Sequence, residues 1–206
     1  MAVVEREPEQ RLTAAEFLAA EPGELAQRFG GRFEINDGLV VRCMAQSEVH
    51  GRVIRRLGTA LEDAVPAGAC FEVADDVAVR FADAESVEAD RRLNVRYPDL
   101  YVRNCGAYDV NTVLDGIELA VEVVSSDSGY RDTVVKHALY ARAGIPVYLI
   151  VFLTDDGLMI DRIEEFRLDW SGRRYSLHAS HDNGELVLDQ PIKLVVPFSR
   201  LDLVTR

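Results

Sequence analysis

"ELAVEVVSSD", residues 118–127, sets one acid inside an apolar run. Leu119, Ala120, Val121, Val123 and Val124 have the character of a buried central β-strand. Glu122 stands in the middle of them. An ionised carboxylate in such a setting costs several kcal/mol, roughly, unless a partner compensates it. The compensation is either a plain ion pair or a piece of chemistry. The rest of the chain decides which.

The chain of 206 residues is long enough for one sizeable core or two small ones. Its 48% hydrophobic and 28% charged residues are ordinary for a soluble globular protein. "LAVEVV" and "VYLIVFL" are too short to span a membrane. The charged start, "MAVVEREPEQRL", lacks the apolar region of a signal peptide, so a cytoplasmic location is expected. Cys43, Cys70 and Cys105 are scattered and odd in number. They argue for a reduced compartment and against a zinc site. A net charge of −12 works against a general nucleic-acid binder. It is compatible with a protein that meets phosphates through a divalent metal and a local basic patch. "HGRVIRR" at 50–56 and "DRRLNVR" at 90–96 are two such patches, each also readable as a solvated face. Lysine occurs only at 136 and 193, all other basic positions being arginine. A lysine on that background hints that a compact ammonium was wanted.

Residues 1–11 are polar and read as a flexible N-terminus; 12–206 read as a single domain. "LTAAEFLAAEP" is a short helix with Thr13 as N-cap and Glu16 closing a capping box. Asn36-Asp37-Gly38 makes "RFEINDGLVVRCM" a hairpin. "SEVHGRVIRRLGTALEDAV" is a helix capped by Ser47, with Val49, Val53, Leu57, Ala60, Leu61 and Ala64 as its apolar stripe. Three strands follow in "CFEVADDVAVRFA", "RYPDLYVRN" and "ELAVEVVS", then the helix "RDTVVKHALYARAG" and the strand "PVYLIVFL". The core at 47–153 thus runs α-β-β-β-α-β. A hairpin precedes it, and a β-rich tail with Asp-Gly, Ser-Gly and Asn-Gly turns follows. The fold class is α/β.

The period of two puts Ala120, Glu122 and Val124 on one strand face, opposite Leu119, Val121 and Val123. In "YPDLYV" it separates Tyr97, Asp99 and Tyr101 from Leu100 and Val102. Neighbouring strands would bring Asp99 and Glu122 side by side. On the following helix, Val134, Val135, Ala138 and Leu139 form an apolar arc, and Lys136 lies roughly 60° beyond its edge. Its stem can run along the sheet while the ammonium reaches the acids. Asp132, Lys136 and Tyr140 form one polar ridge. Two carboxylates and a lysine suit a hard cation such as Mg²⁺ and the hydrolysis of a phosphodiester. Each residue also has a plain reading. Glu122–Lys136 could be a buried ion pair, Asp132–Lys136 a surface pair, and Asp99 a turn residue. Their convergence in strand–strand–helix order favours a site.

"YPDLYV", "LAVEVVSSDSGYRDTVVKHALYARAGIPVYLIV" and the upstream "FEINDGLV" resemble the Uma-two family, which is classed with the restriction endonucleases in the PD-(D/E)-x-K nuclease superfamily. The similarity runs from about residue 12 to 153, with a looser match in the tail. It implies a restriction-endonuclease-like core of the order read above. It implies that Asp99 and Glu122 are metal ligands for Mg²⁺ or Mn²⁺. The standard E-x-K lysine would fall at Val124, so the resemblance moves that role to Lys136. His50 corresponds to the histidine opening the first core helix, and Glu34 to the acid of the hairpin. Two stretches depart from the family pattern. Ser125-Ser126-Asp127 stands for "SPS", and Phe152 stands where members carry the acid of "YWIVDP".

The expected function is a metal-dependent endonuclease hydrolysing DNA phosphodiester bonds. Asp99, Glu122 and Lys136 are catalytic, and the Val123 carbonyl is an added ligand candidate. The alternatives are an inactive nuclease-fold module that binds nucleic acid or a protein, and a small-phosphate hydrolase. An open groove flanked by Arg52, Arg55 and Arg56 would separate the nuclease from the last of these. Glu34, His50, Asp75 and Asp76 are further residues whose roles stay open. His178 and His181 of "HASH" make a poor metal pair. The β-rich tail offers a surface for a homodimer, a state common in nucleases that cut both strands.

Overall fold

A computed structural model describes residues 10–21, 23–43, 46–75, 77–81, 93–106, 116–124 and 130–202, the side chains of 130–133 excepted. In chain order the elements are α1 (Ala14–Ala19), α2 (Glu24–Phe29), β1 (Phe33–Asn36), β2 (Leu39–Arg42), α3 (Glu48–Ala64), β3 (Phe71–Asp75), β4 (Val79–Phe81), β5 (Asn94–Arg96) and β6 (Leu100–Asn104). They continue with β7 (Ile117–Val124), α4 (Tyr130–Arg142), β8 (Val147–Leu153), β9 (Ile160–Leu168), β10 (Tyr175–His181), β11 (Glu185–Leu188), β12 (Leu194–Pro197) and α5 (Phe198–Leu201). The chain divides into two compact units. One comprises Met1–Ala45, Ala78–Arg96 and Val110–Val113, the other Gln46–Val77, Tyr97–Asp109 and Leu114–Arg206.

The smaller unit is built on an antiparallel sheet of order β2-β1-β5-β4. The Thr13–Glu16 capping box is formed in both directions. The β1–β2 turn places Asp37 and Gly38 at φ 47° and 80°, the left-handed conformation that a two-residue hairpin of this hand requires. α2 is a helix that the sequence reading passed over. It is framed by Gly23 and Gly30, both left-handed, and buries only Phe29.

The larger unit carries a six-stranded sheet of order β10-β9-β8-β7-β6-β3. Its pairs are antiparallel except β7 with β8, which are parallel and joined through α4. The α-β-β-β-α-β core is present as α3, β3, β6, β7, α4 and β8. Two of the sequence-read strands prove to be composite. "CFEVADDVAVRFA" splits into β3 and β4, which belong to different sheets, and "RYPDLYVRN" contains the last residue of β5 and the whole of β6, with Pro98 between them. Proline lacks the N–H that a continuous central strand would use, so the ladder breaks there.

Ser47 caps α3 by accepting from the His50 N–H. Val49, Val53, Leu57 and Leu61 pack with Leu100, Val102, Leu119, Val121 and Val123, so one sheet face is as the period of two predicts. Gly58 allows a close approach, since a Cβ there would lie 3.2 Å from Leu100 Cδ1. α4 differs from expectation. Among its described side chains Lys136, Leu139, Tyr140 and Ala141 are buried, while Val134 and Val135 are 52% and 40% exposed. The helix is turned so that Lys136 lies within the buried face instead of beyond its edge. The acid on β7 supplies the reason: the ammonium and the carboxylate are buried together, and leaving either alone would cost several kcal/mol, roughly. Contrary to the expectation of reduced cysteines, Cys70 and Cys105 form a disulfide one step beyond the terminal β3–β6 pair Phe71–Asn104.

Candidate active site

Glu122 lies on the β7 face opposite Val121 and Val123 and is 5% exposed. Lys136 Nζ donates to its Oε2 at 2.9 Å, and Tyr140 Oη donates to its Oε1 at 2.7 Å. The two donors stand one helical turn apart on α4, so a single helix face serves both oxygens. Lys136 is 6% exposed and Tyr140 fully buried. The ring of Tyr140 also meets Tyr148 of β8 edge-on, with centroids 5.3 Å apart.

Asp99 stands just before β6 and is 6% exposed. The antiparallel register pairs Leu100 with Val121, so one further step brings Asp99 to the level of Glu122. Its Oδ2 accepts from the Val123 N–H at 2.8 Å and lies 2.8 Å from His50 Nε2. Its Oδ1 accepts from Gln46 Nε2 at 3.0 Å. The start of α3 thus reaches Asp99, α4 reaches Glu122, and the backbone at Val123 ties Asp99 to the residue after Glu122. Of the sequence-predicted site residues, Glu122 and Lys136 are in direct contact, and Asp99 is bound to the strand that carries Glu122.

The remaining candidates fall elsewhere. Glu34 belongs to the smaller unit, where it lies 3.9 Å from Arg96 Nε; Arg96 also donates to the Ile35 carbonyl and to Asn36 Oδ1. Asp75 is exposed at the end of β3, opposite Leu100. Asp76, Asp127 and the side chain of Asp132 lie outside the described residues. On α3, Arg52 pairs with Glu48 at 2.6 Å and Arg56 donates to the Asp202 carbonyl, so both make bonds within the protein. Phe152, in place of the family acid, pairs across strands with Arg162, whose guanidinium stacks 3.9 Å from its ring centroid.

The sequence reading missed Tyr140 and Gln46 as site residues. Tyr140 was visible only as the end of the Asp132–Lys136–Tyr140 ridge, and Gln46 precedes its helix with no spacing signal. His178, set aside with His181 as a poor metal pair, has other neighbours. A β-bulge between Leu177 and Ala179 brings His178 beside Glu165 and Asp189, with ligand atoms within 4.8 Å of one another. Arg167 already bridges Glu165 and Asp189, and His181 lies 3.2 Å from Glu165. That group therefore has a resident cation and reads as an ion-pair network.

The Uma2 family model, described as "Putative restriction endonuclease", matches residues 14–196. The chain belongs to this family. Comparison with curated proteins returned no match. Among solved structures, a chain described as a putative nuclease of DUF820 from Anabaena variabilis ATCC 29413 is similar in fold, with a TM-score of 0.64 at 13% identity. The match covers 92% of this chain and 97% of that one. Position 124 in this chain is valine, and the lysine that meets Glu122 comes from α4.

Proposed function

We propose that the protein is a Mg²⁺- or Mn²⁺-dependent endonuclease that hydrolyses DNA phosphodiester bonds at Asp99, Glu122 and Lys136. The observation that carries this reading is the burial of two carboxylates on neighbouring segments, Glu122 bonded to Lys136 and Asp99 bonded to His50, Gln46 and the Val123 N–H. The donor set fits the metal. It offers hard oxygen ligands, and two acids against one ammonium leave residual negative charge for a divalent cation to neutralise. Asp99 and Glu122 would hold the ion, with the Val123 carbonyl as a further ligand. When bound, such an ion acidifies a coordinated water and offsets charge on the phosphodiester.

The protein's own groups have separate tasks. Gln46, His50 and the Val123 N–H fix the orientation of the Asp99 carboxylate. Lys136 holds Glu122 and keeps a positive charge where the attacked phosphorus gathers negative charge. In the reaction the water oxygen bonds to phosphorus as the P–O ester bond breaks; one water proton passes to solvent, and the departing alkoxide takes a proton from solvent to become the product hydroxyl. The test is cleavage of supercoiled plasmid with and without Mn²⁺. The wild type nicks or linearises it only with metal, and Glu122→Gln with Lys136→Ala abolishes cleavage. Undiminished cleavage by that double variant would refute the assignment.

The internal bonds of Arg52 and Arg56, with a net charge of −12, favour a second reading: a non-catalytic module of the same fold. No cleavage of any nucleic acid, together with no metal binding in calorimetry, would select it.

A further inference from the structure

We infer that Tyr140 is a positioning residue of this site, acting on the metal through Glu122; the inference rests on the function proposed above. Three observations lead to it. Tyr140 is fully buried, so its hydroxyl is placed by packing and not by solvent. It donates at 2.7 Å to Oε1, while Lys136 takes Oε2, so the two oxygens of Glu122 are distinguished by different donors. Its ring packs edge-on against Tyr148 of β8, so the side chain that carries the hydroxyl is held between α4 and the sheet.

The chemistry of the two donors explains the division. A carboxylate has about four acceptor positions, so each oxygen can serve a protein donor and a cation together. A second ammonium at Oε1 would cancel the residual negative charge that attracts a divalent ion. A phenol orients the carboxylate without adding charge. Partners that orient a ligating group in this way commonly contribute about 10–100-fold in metal affinity or activity.

Tyr140→Phe keeps the ring and its contact with Tyr148 and removes only the donor. The experiment measures Mn²⁺ affinity by calorimetry on the full chain without DNA, then kcat and KM on plasmid. The expected result is Mn²⁺ binding weakened on the order of tenfold and kcat lowered similarly, with KM for DNA unchanged. A second measurement places fluorotyrosine at position 140 and follows its fluorine resonance. Addition of Mg²⁺ without DNA shifts it if the hydroxyl bears on an occupied site. A variant that folds with wild-type Mn²⁺ affinity and kcat, or a resonance unmoved by Mg²⁺, overturns the role. If the wild type neither binds Mn²⁺ nor cuts DNA, the proposed function fails and the Tyr140 role with it. If the wild type is active and only Tyr140→Phe is without effect, the Tyr140 role alone fails.

Discussion

Glu122 is compensated by two donors, and its energetics differ from those of a surface pair. Lys136 and Glu122 are both buried, so removing one strands the other. Lys136→Met or Glu122→Leu alone is expected to cost about 3–5 kcal/mol in urea unfolding. The double variant Glu122→Leu/Lys136→Met replaces the pair by apolar side chains and is expected to recover most of that loss while remaining inactive. Additive losses in the double variant would show that the two side chains do not depend on each other. The acid and its lysine were legible in the sequence, because an acid in an apolar strand requires a partner and lysine is rare in this chain. Tyr140 was not, because a tyrosine on a helix carries no mark that separates packing from hydrogen bonding.

α3 and α4 position the site in different ways. α3 approaches β6 through Gly58, where a Cβ fits once the Leu100 side chain gives by a few tenths of an ångström. Gly58→Leu is expected to destabilise by about 1–3 kcal/mol through overpacking. Gly58→Ala should be nearly neutral, since helix propensity improves by about 1 kcal/mol while Leu100 shifts slightly. Denaturation midpoints of the two variants check this. α4 carries His137, whose ring meets Phe166 at 4.8 Å and Tyr175 at 5.1 Å. Burial lowers its pKa below the ordinary 6.5. The unfolded chain therefore binds this proton more readily, and stability falls as pH drops below about 6.5. His137→Phe is expected to flatten that part of the stability curve. An unchanged slope would assign the pH dependence to other groups. The stripe on α3 was readable because its apolar residues face the sheet. The orientation of α4 was not, because the buried ion pair outweighed an arc of two valines and an alanine.

At the scale of the whole chain, the core order was readable from alternation and turn residues. The division into two units was not, because one continuous alternating run, residues 70–82, feeds strands of two sheets. The Cys70–Cys105 bond closes a separation of 35 residues and is expected to contribute about 3–4 kcal/mol on a chain-entropy basis. Cys70→Ser/Cys105→Ser should lose stability of that order in urea under oxidising conditions, and an equal midpoint would place the pair in the reduced form. The location proposed for chemistry is the buried pair of carboxylates, Asp99 and Glu122. Crystals soaked in Mn²⁺ test that location directly through the anomalous signal of the metal. The proposed site predicts a peak held by Asp99 and Glu122. A saturating soak that leaves these carboxylates without metal, or that places it instead at Glu165, His178 and Asp189, would contradict it.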